Sequence, residues 1–463
     1  MSASPREPIS NMSKNQPSGM PAFTIVWIGQ MLSLLGTNMT GFALTIWTWQ
    51  VTQQATAMAL VGFFAFAPTV FVSPIAGALV DRYDRKKVMQ VADLAAGLPT
   101  VVVLLLYVTG NLQIWHLFIT GAISGTFQSF HFPAYSAAVT MMLRKEQYGR
   151  ANGMLAAAQF ASMIFAPIVA AILLGIIGIA GVMIIDITTF LTAISMLFFV
   201  RIPKPPVTEA GRKGMGSIWK ESFYGFRYIY ERPSLLGLQL VFFSINLFGA
   251  FGNTVLNPMI LARFPNNDPL GNQTLGSVQA AGGVGGLIGS IVLTAWGGPK
   301  RKVRGVLGGM VLISLFGGIL LGLGQNIYVW VVTSFLSWVF LPIINGSNQA
   351  IWQAKVAPDV QGRVFATRLL IAQISVPIAM LLAGPLADLV FTPAMMPNGS
   401  LTALLSGVMG AGPGVGMSLM LVISGTLGIL VGIVGYSVRA VRDAEIVLPD
   451  HDAGAAPPTE KQA

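Results

Sequence analysis

The chain of 463 residues has no cysteine, which excludes a disulfide framework, a thiolate metal site and a cysteine nucleophile. Charge is scarce as well. Asp, Glu, Lys and Arg make up 10% of the residues, against roughly 25% in soluble domains. With 54% hydrophobic residues and a mean hydropathy of +0.70, water cannot be the main solvent. Enzyme signatures are missing too: there is no GxxxxGK[ST] phosphate loop, no GxSxG elbow and no HExxH pair. ATP hydrolysis by a P-loop and the corresponding hydrolase chemistries are therefore excluded. No cofactor, metal or enzymatic activity is expected. The formal charge of +10 does not indicate nucleic-acid binding, because the basic residues stand in short runs between apolar segments rather than on a polar surface. The first 20 residues lack the basic, apolar, small-residue order of a cleaved signal peptide, so the first apolar segment should stay as a helix.

Apolar segments of spanning length are what the chain does have. A bilayer core about 30 Å thick takes roughly 20 apolar residues per helix, and backbone in lipid must satisfy its own hydrogen bonds. Spans 1 to 6 are predicted at 22–47, 57–80, 88–109, 114–140, 152–175 and 178–200. Spans 7 to 12 are predicted at 234–261, 276–298, 303–324, 327–350, 367–391 and 417–437, while 395–416, rich in glycine and small residues, is given no span. The resulting organisation is a tail 1–21, a six-helix bundle 22–200, a linker 201–233, a second bundle 234–437 and a tail 438–463. In the linker, Pro203, Pro205 and Pro206 precede Ile218, Trp219, Phe223, Phe226 and Tyr230 at helical spacing. That pattern predicts an amphipathic helix on the inner membrane face, with a plain solvated linker as the alternative.

Of the 27 basic residues, all but Arg263 fall on one side of this arrangement. Cytoplasmic loops retain positive charge, so both tails are expected in the cytoplasm and the number of spans is expected to be even, in the cell membrane. Lys86-Lys87 after span 2 and Arg301-Lys302 after span 8 are 215 residues apart, and Gly149-Arg150 before span 5 and Gly362-Arg363 before span 11 are 213 apart. Near-equal offsets imply a duplicated six-helix unit. The expected fold is an all-α membrane protein of about twelve transmembrane helices, in two six-helix bundles related by a pseudo-two-fold axis. Parallel repeats of this kind place a substrate site at their interface near mid-membrane.

The loop after span 2 reads GALVDRYDRKK from Gly77 to Lys87. It resembles the signature of the major facilitator superfamily, through Gly77, Leu79, Asp81, Arg82, Arg85 and Lys86. Asp84 stands where many members have Gly, a departure similar to the macrolide-efflux-like branch, as is QGRVFA at 361–366. The resemblance covers roughly 22–437. It implies that Gly77, Asp81, Arg82 and Arg85 form a gate: a carboxylate beside arginines can meet a helix N-terminus and latch the halves in one state. The alternative is that these residues only supply positive charge to an inner loop. In span 5, Gly153, Ser162, Ala166, Pro167, Ala170 and Ala171 resemble the glycine-spaced motif of twelve-helix proton antiporters, with small residues replacing most of the glycines. Span 11 carries Ala383-Gly384-Pro385 and then Asp388.

Polar side chains inside spans should face protein or water. In span 1, Gln30, Ser33, Thr37, Gly41 and Thr48 share one face; span 7 repeats this with Gln239, Asn246, Asn253 and Asn257. Asn38 and Asn253 are 215 apart. The substrate-cavity candidates are Gln30, Thr37, Asn38, Gln128, Asn246, Asn253, Asn345 and Gln349, with interhelical hydrogen bonding as the competing role for each. The proton-coupling candidates are Asp186, Asp388, Asp93 and His131. Asp93 is expected in an ion pair with the nearby basic cluster, Asp186 and Asp388 at outer span ends within reach of water, and His131, the one histidine deep in a span, as a satisfied polar residue.

The implied activity is secondary active export of a small, partly apolar compound, such as a drug, a macrolide-like molecule or a siderophore-like metabolite, by proton antiport with alternating access. An importer or a lysolipid flippase on the same fold is the alternative. A transport-dead scaffold or sensor would not need the duplicated polar faces. The expected partners are the substrate, protons and the lipid bilayer, and the chain is expected to be monomeric.

Overall fold

The computed structural model describes residues 19–447 apart from 83, 145–146, 201–224, 265–267 and 358–359. All regular elements among them are helical. The chain begins with α1 (Gly19–Thr52), α2 (Ala55–Arg82), α3 (Arg85–Val108) and α4 (Ile114–Met142). Helix starts follow from capping residues. The Asp84 carboxylate accepts the backbone N–H groups of Lys86 and Lys87 and so opens α3, satisfying donors that no earlier turn can reach.

The next helical run, Tyr148–Phe199, has 52 residues. At 1.5 Å per residue it would extend about 78 Å, more than twice a bilayer core. Gly178, with φ 66° and ψ −174°, breaks it into α5 (148–177) and α6 (179–199). A side chain is strained in that left-handed backbone, so this glycine is where the chain can fold back. The second half holds α7 (Pro233–Ala262), α8 (Pro269–Trp296), α9 (Lys302–Leu323), α10 (Ile327–Lys355), α11 (Gln361–Leu386, prolonged through a π-helical turn at Ala387–Phe391) and α12 (Val415–Ser437). Ten described helices are long and apolar enough to cross a membrane, the double-length Tyr148–Phe199 among them. Counting that run twice and adding the 29-residue Ile114–Met142 gives twelve crossings. The stretch 395–416 supplies only a short helix, Thr402–Met409. Of the expected linker helix, Ile218, Trp219 and Phe223 lie outside the described residues. Residues 225–230 are helical, with Ile229 buried and Tyr230 exposed.

Within the first bundle α1 packs along α5 and α6, and α4 packs against α2 and α3; within the second, α7 packs against α11 and α12, and α10 against α8 and α9. Two helix pairs carry most of the contact between bundles, α2 with α11 and α5 with α8. The repeat interchanges them, since α2 corresponds to α8 and α5 to α11. Both seams are close: a methyl placed on Gly384 would lie 2.6 Å from Cα of Thr56, and one on Gly276 would lie 2.8 Å from the carbonyl oxygen of Pro167. Small residues at such seams let backbones approach where lipid supplies no hydrophobic drive.

The apolar cores divide by end. At the end away from the basic loops, one continuous core joins both bundles, with Phe42, Ile46, Ala166 and Ala170 packed together with Met259, Leu275, Ala383 and Met420. At the basic end there are two cores, one around Phe23, Met89 and Leu197, the other around Leu238, Leu307 and Trp352. Among the described residues the bundles are thus fused at the far end and separately packed at the basic end.

Candidate functional site

A cavity of about 580 Å³ lies halfway along the bundle axis. Gly41, Thr45 and Thr48 of α1 and Met58, Gly62 and Ala65 of α2 form one wall; Asn246, Asn253 and Asn257 of α7, Ser337, Trp338 and Asn345 of α10 and Met380 of α11 form most of the rest. Among the described residues no ionisable side chain lines it. Its polarity comes from amides and hydroxyls on an apolar frame, so it can orient a neutral polar group without discharging an ion.

The cavity candidates divide. Asn246, Asn253 and Asn345 line the cavity. The others have protein partners or another location. Asn38 donates through Nδ2 to Ser162 Oγ (2.7 Å), Thr37 meets Asp186 Oδ1 (3.2 Å), and Gln349 Oε1 accepts from Arg368 Nη2 (2.6 Å). Gln128 is exposed on α4. The α1 stripe therefore serves two purposes: its far-end portion faces the cavity, and its basic-end portion bonds within its own bundle.

Gln30 belongs to that second group. Its Nε2 donates to Asp93 Oδ2 (2.9 Å), while His131 Nε2 lies 3.0 Å from Gln30 Oε1 and 3.1 Å from Asp93 Oδ1. Both neighbours of Nε2 are acceptors, so this nitrogen carries the hydrogen. Asp93 is expected to pair with the basic loop; among the described residues its partners are Gln30 and His131, the latter brought near by the packing of α3 on α4. His131 is correspondingly a polar side chain with partners of its own.

Asp186 is 3% exposed, not at a water-reachable end as its place in the sequence suggested. It points from α6 into the bundle, where Thr37 Oγ1 (3.2 Å) and Thr100 Oγ1 (3.3 Å) meet its two oxygens. The close approach of α1 at Gly36 closes the site, since a methyl there would lie 3.0 Å from Cα of Asp186. Among the described residues no cation pairs with it.

Asp388 sits in the π-helical turn of α11, and its two oxygens accept the N–H groups of Ala55 (3.0 Å) and Thr56 (2.8 Å). This carboxylate of one bundle caps the first turn of α2 in the other, where unsatisfied N–H groups and the helix dipole favour negative charge. The side chains of Gly77, Asp81, Arg82 and Arg85 lie outside the described residues; their backbones end α2 and begin α3.

One functional candidate escaped sequence reasoning. Arg368 reads as one more positive charge near an inner loop, yet it lies in α11, half-buried, with the Trp352 and Phe365 rings each 5.3 Å from its guanidinium carbon. A signal was available: Arg368 falls inside the predicted span 367–391 rather than in the loop before it.

The family model described as Major Facilitator Superfamily matches residues 26–380. Macrolide efflux protein A of Streptococcus pyogenes is 26% identical over 369 residues, covering 79% of this chain and 89% of that protein. The enterobactin exporter EntS of Escherichia coli O1:K1 / APEC is 24% identical over 309 residues, covering 64% of this chain and 70% of that protein. The crystal structure of the nucleoside transporter NupG superposes with a TM-score of 0.66 at 11% identity, covering 90% of this chain and 98% of that one, a likeness of fold.

Proposed function

Because this chain belongs to the major facilitator superfamily, we propose that it exports a small, partly apolar compound across the cell membrane by proton antiport, alternating between states open to either side. The observation that carries the reading is the neutral cavity between the bundles together with ionisable centres kept outside it, at Asp186 and at Asp93–His131. Substrate and proton then occupy different sites and can be coupled through the packing of α1, which touches both. Without a nucleotide-binding loop, uphill movement must draw on an ion gradient, and amides and hydroxyls do not titrate near neutral pH. A carboxyl or imidazole has to. Asp186 suits this because it is buried without a cation, so uptake of a proton removes an uncompensated charge.

With the basic loops in the cytoplasm, the far end faces outwards, and the described arrangement corresponds to a state closed outside. The names of the macrolide and enterobactin relatives support export and a substrate of macrolide or siderophore type. Import or lysolipid flipping on the same fold is the competing direction. Purified protein in oriented vesicles, loaded with erythromycin or a catecholate siderophore, should release substrate against its gradient when a proton gradient is imposed and stop when nigericin collapses it. Accumulation in the opposite direction, or transport of neither compound with or without the gradient, would overturn the proposal.

A further inference from the structure

Two polar stripes leave the cavity toward the basic end. On α7, Asn253 and Asn246 line the cavity, and Gln239 continues them at the same seven-residue spacing. On α10, Asn345 lines the cavity, and Gln349 follows one turn further. Both stripes end on one residue of α11: Gln239 Nε2 donates to the carbonyl of Arg368 (3.2 Å), and Gln349 Oε1 accepts from Arg368 Nη2 (2.6 Å). Gln349, which holds the guanidinium, is therefore about one helical turn from the cavity wall, since residues four apart on a helix are neighbours about 6 Å apart.

Its surroundings are unusual for a cation inside a span. Arg368 lies seven residues into α11, about 10 Å along the helix, where ionisable groups ordinarily pair or line a path. Among the described residues no carboxylate pairs with it. Nη2 meets a neutral amide, and Nη1 is buried without a hydrogen-bond partner. The rings of Trp352 and Phe365 flank it, an apolar setting in which a planar five-donor fork favours an oxyanion over water. Gln349 holds one edge of the fork and leaves the other edge to be filled. We infer that Arg368 is the anion-recognising end of the substrate path, selecting compounds that carry a carboxylate or similar acidic group on an aromatic or apolar body.

The inference rests on the transporter reading above, but its test does not depend on direction or on proton coupling. The full chain in lipid nanodiscs is titrated with naphthoate and with naphthamide, which match in size and differ in charge. Wild-type protein should bind the acid at least about tenfold more tightly than the amide. In Arg368→Gln that preference should fall to near unity while affinity for the amide is kept, and Arg368→Lys should retain part of it, having charge without the fork. A role limited to pinning α7, α10 and α11 together would weaken both probes alike. Equal binding of the two probes by wild-type protein, or an undiminished preference in Arg368→Gln, would overturn the inference; the wild-type comparison decides even if the variant does not fold. Loss of gradient-driven export with the acid preference intact would count against the transport reading alone.

Discussion

At the residue scale the first bundle keeps its candidate proton-coupling groups in two different settings, and each implies a different response to substitution. Asp186 is surrounded by threonine hydroxyls, which donate when the carboxyl has lost its proton and can accept when it has gained one. Asp186→Asn fixes the side chain in the uncharged form. Export driven by a proton gradient should fall by at least about tenfold, while substrate binding or downhill exchange is kept, in vesicles that compare the two modes. Full gradient-driven export by a normally folded Asp186→Asn protein would exclude this carboxyl as the proton site. In the Asp93–His131–Gln30 cluster the hydrogen on Nε2 is committed to two acceptors. His131→Gln can still donate toward Asp93 but cannot titrate. Its export should therefore lose its dependence on external pH before it loses rate, as read from pH profiles of wild type and variant.

At the element scale the informative pair is α2 with α11, two helices of opposite direction from different bundles. Asp388, near the far end of α11, caps the first turn of α2. Asp81 stands near the basic end of α2, and the family resemblance implies for it a mirror role. A latch at each end would give two alternative closed states of a single helix pair. Removing an N-terminal cap costs about 1–2 kcal/mol, so Asp388→Ala should shift the balance toward the outward-open state by about five- to thirtyfold. Spin labels at the exposed Gln53 and Asn398 should then show a growing population of longer distances. Asn caps helices about as well as Asp. Asp388→Asn should therefore behave nearly as wild type, whereas a proton-carrying Asp388 would make Asn the damaging change. Asp81→Asn should slow cycling with expression unchanged; undiminished transport by that variant would remove Asp81 from the gate.

At the scale of the whole molecule, fused cores at one end and separate cores at the other describe a hinge whose seam is small residues and whose cavity lies above the opening. The natural absence of cysteine makes the topology directly measurable. A single cysteine at position 85 should resist an impermeant thiol reagent applied to intact cells, and one at position 270 should react. Labelling of position 85 from outside would reverse the membrane orientation and with it the direction of transport proposed above.

The sequence by itself determined the solvent, the number of crossings, the duplication and the family, because each is written along one dimension: apolar runs as long as a bilayer is thick, basic residues on one side, motifs at repeated offsets. It could not determine which way each helix is turned. In a soluble helix the apolar stripe marks the buried face, but here lipid and core are equally apolar, and side chains such as Leu105 and Leu389 point outward as readily as Leu197 and Leu238 point inward. Rotation is therefore decided by tertiary packing, and with it every pairing that crosses helices. That is why Asp93 could be listed without its partner His131, why Asp388 was a candidate acid rather than a cap on a helix 333 residues away, and why Arg368 passed for a loop charge. The stripe of α7 that reaches the cavity was legible because amides at seven-residue spacing mark one face whatever surrounds the rest. The stripe of α1 was equally legible, yet only the packing of α3, α5 and α6 around it decided that Gln30, Thr37 and Asn38 bond within the bundle while Thr45 and Thr48 face the cavity.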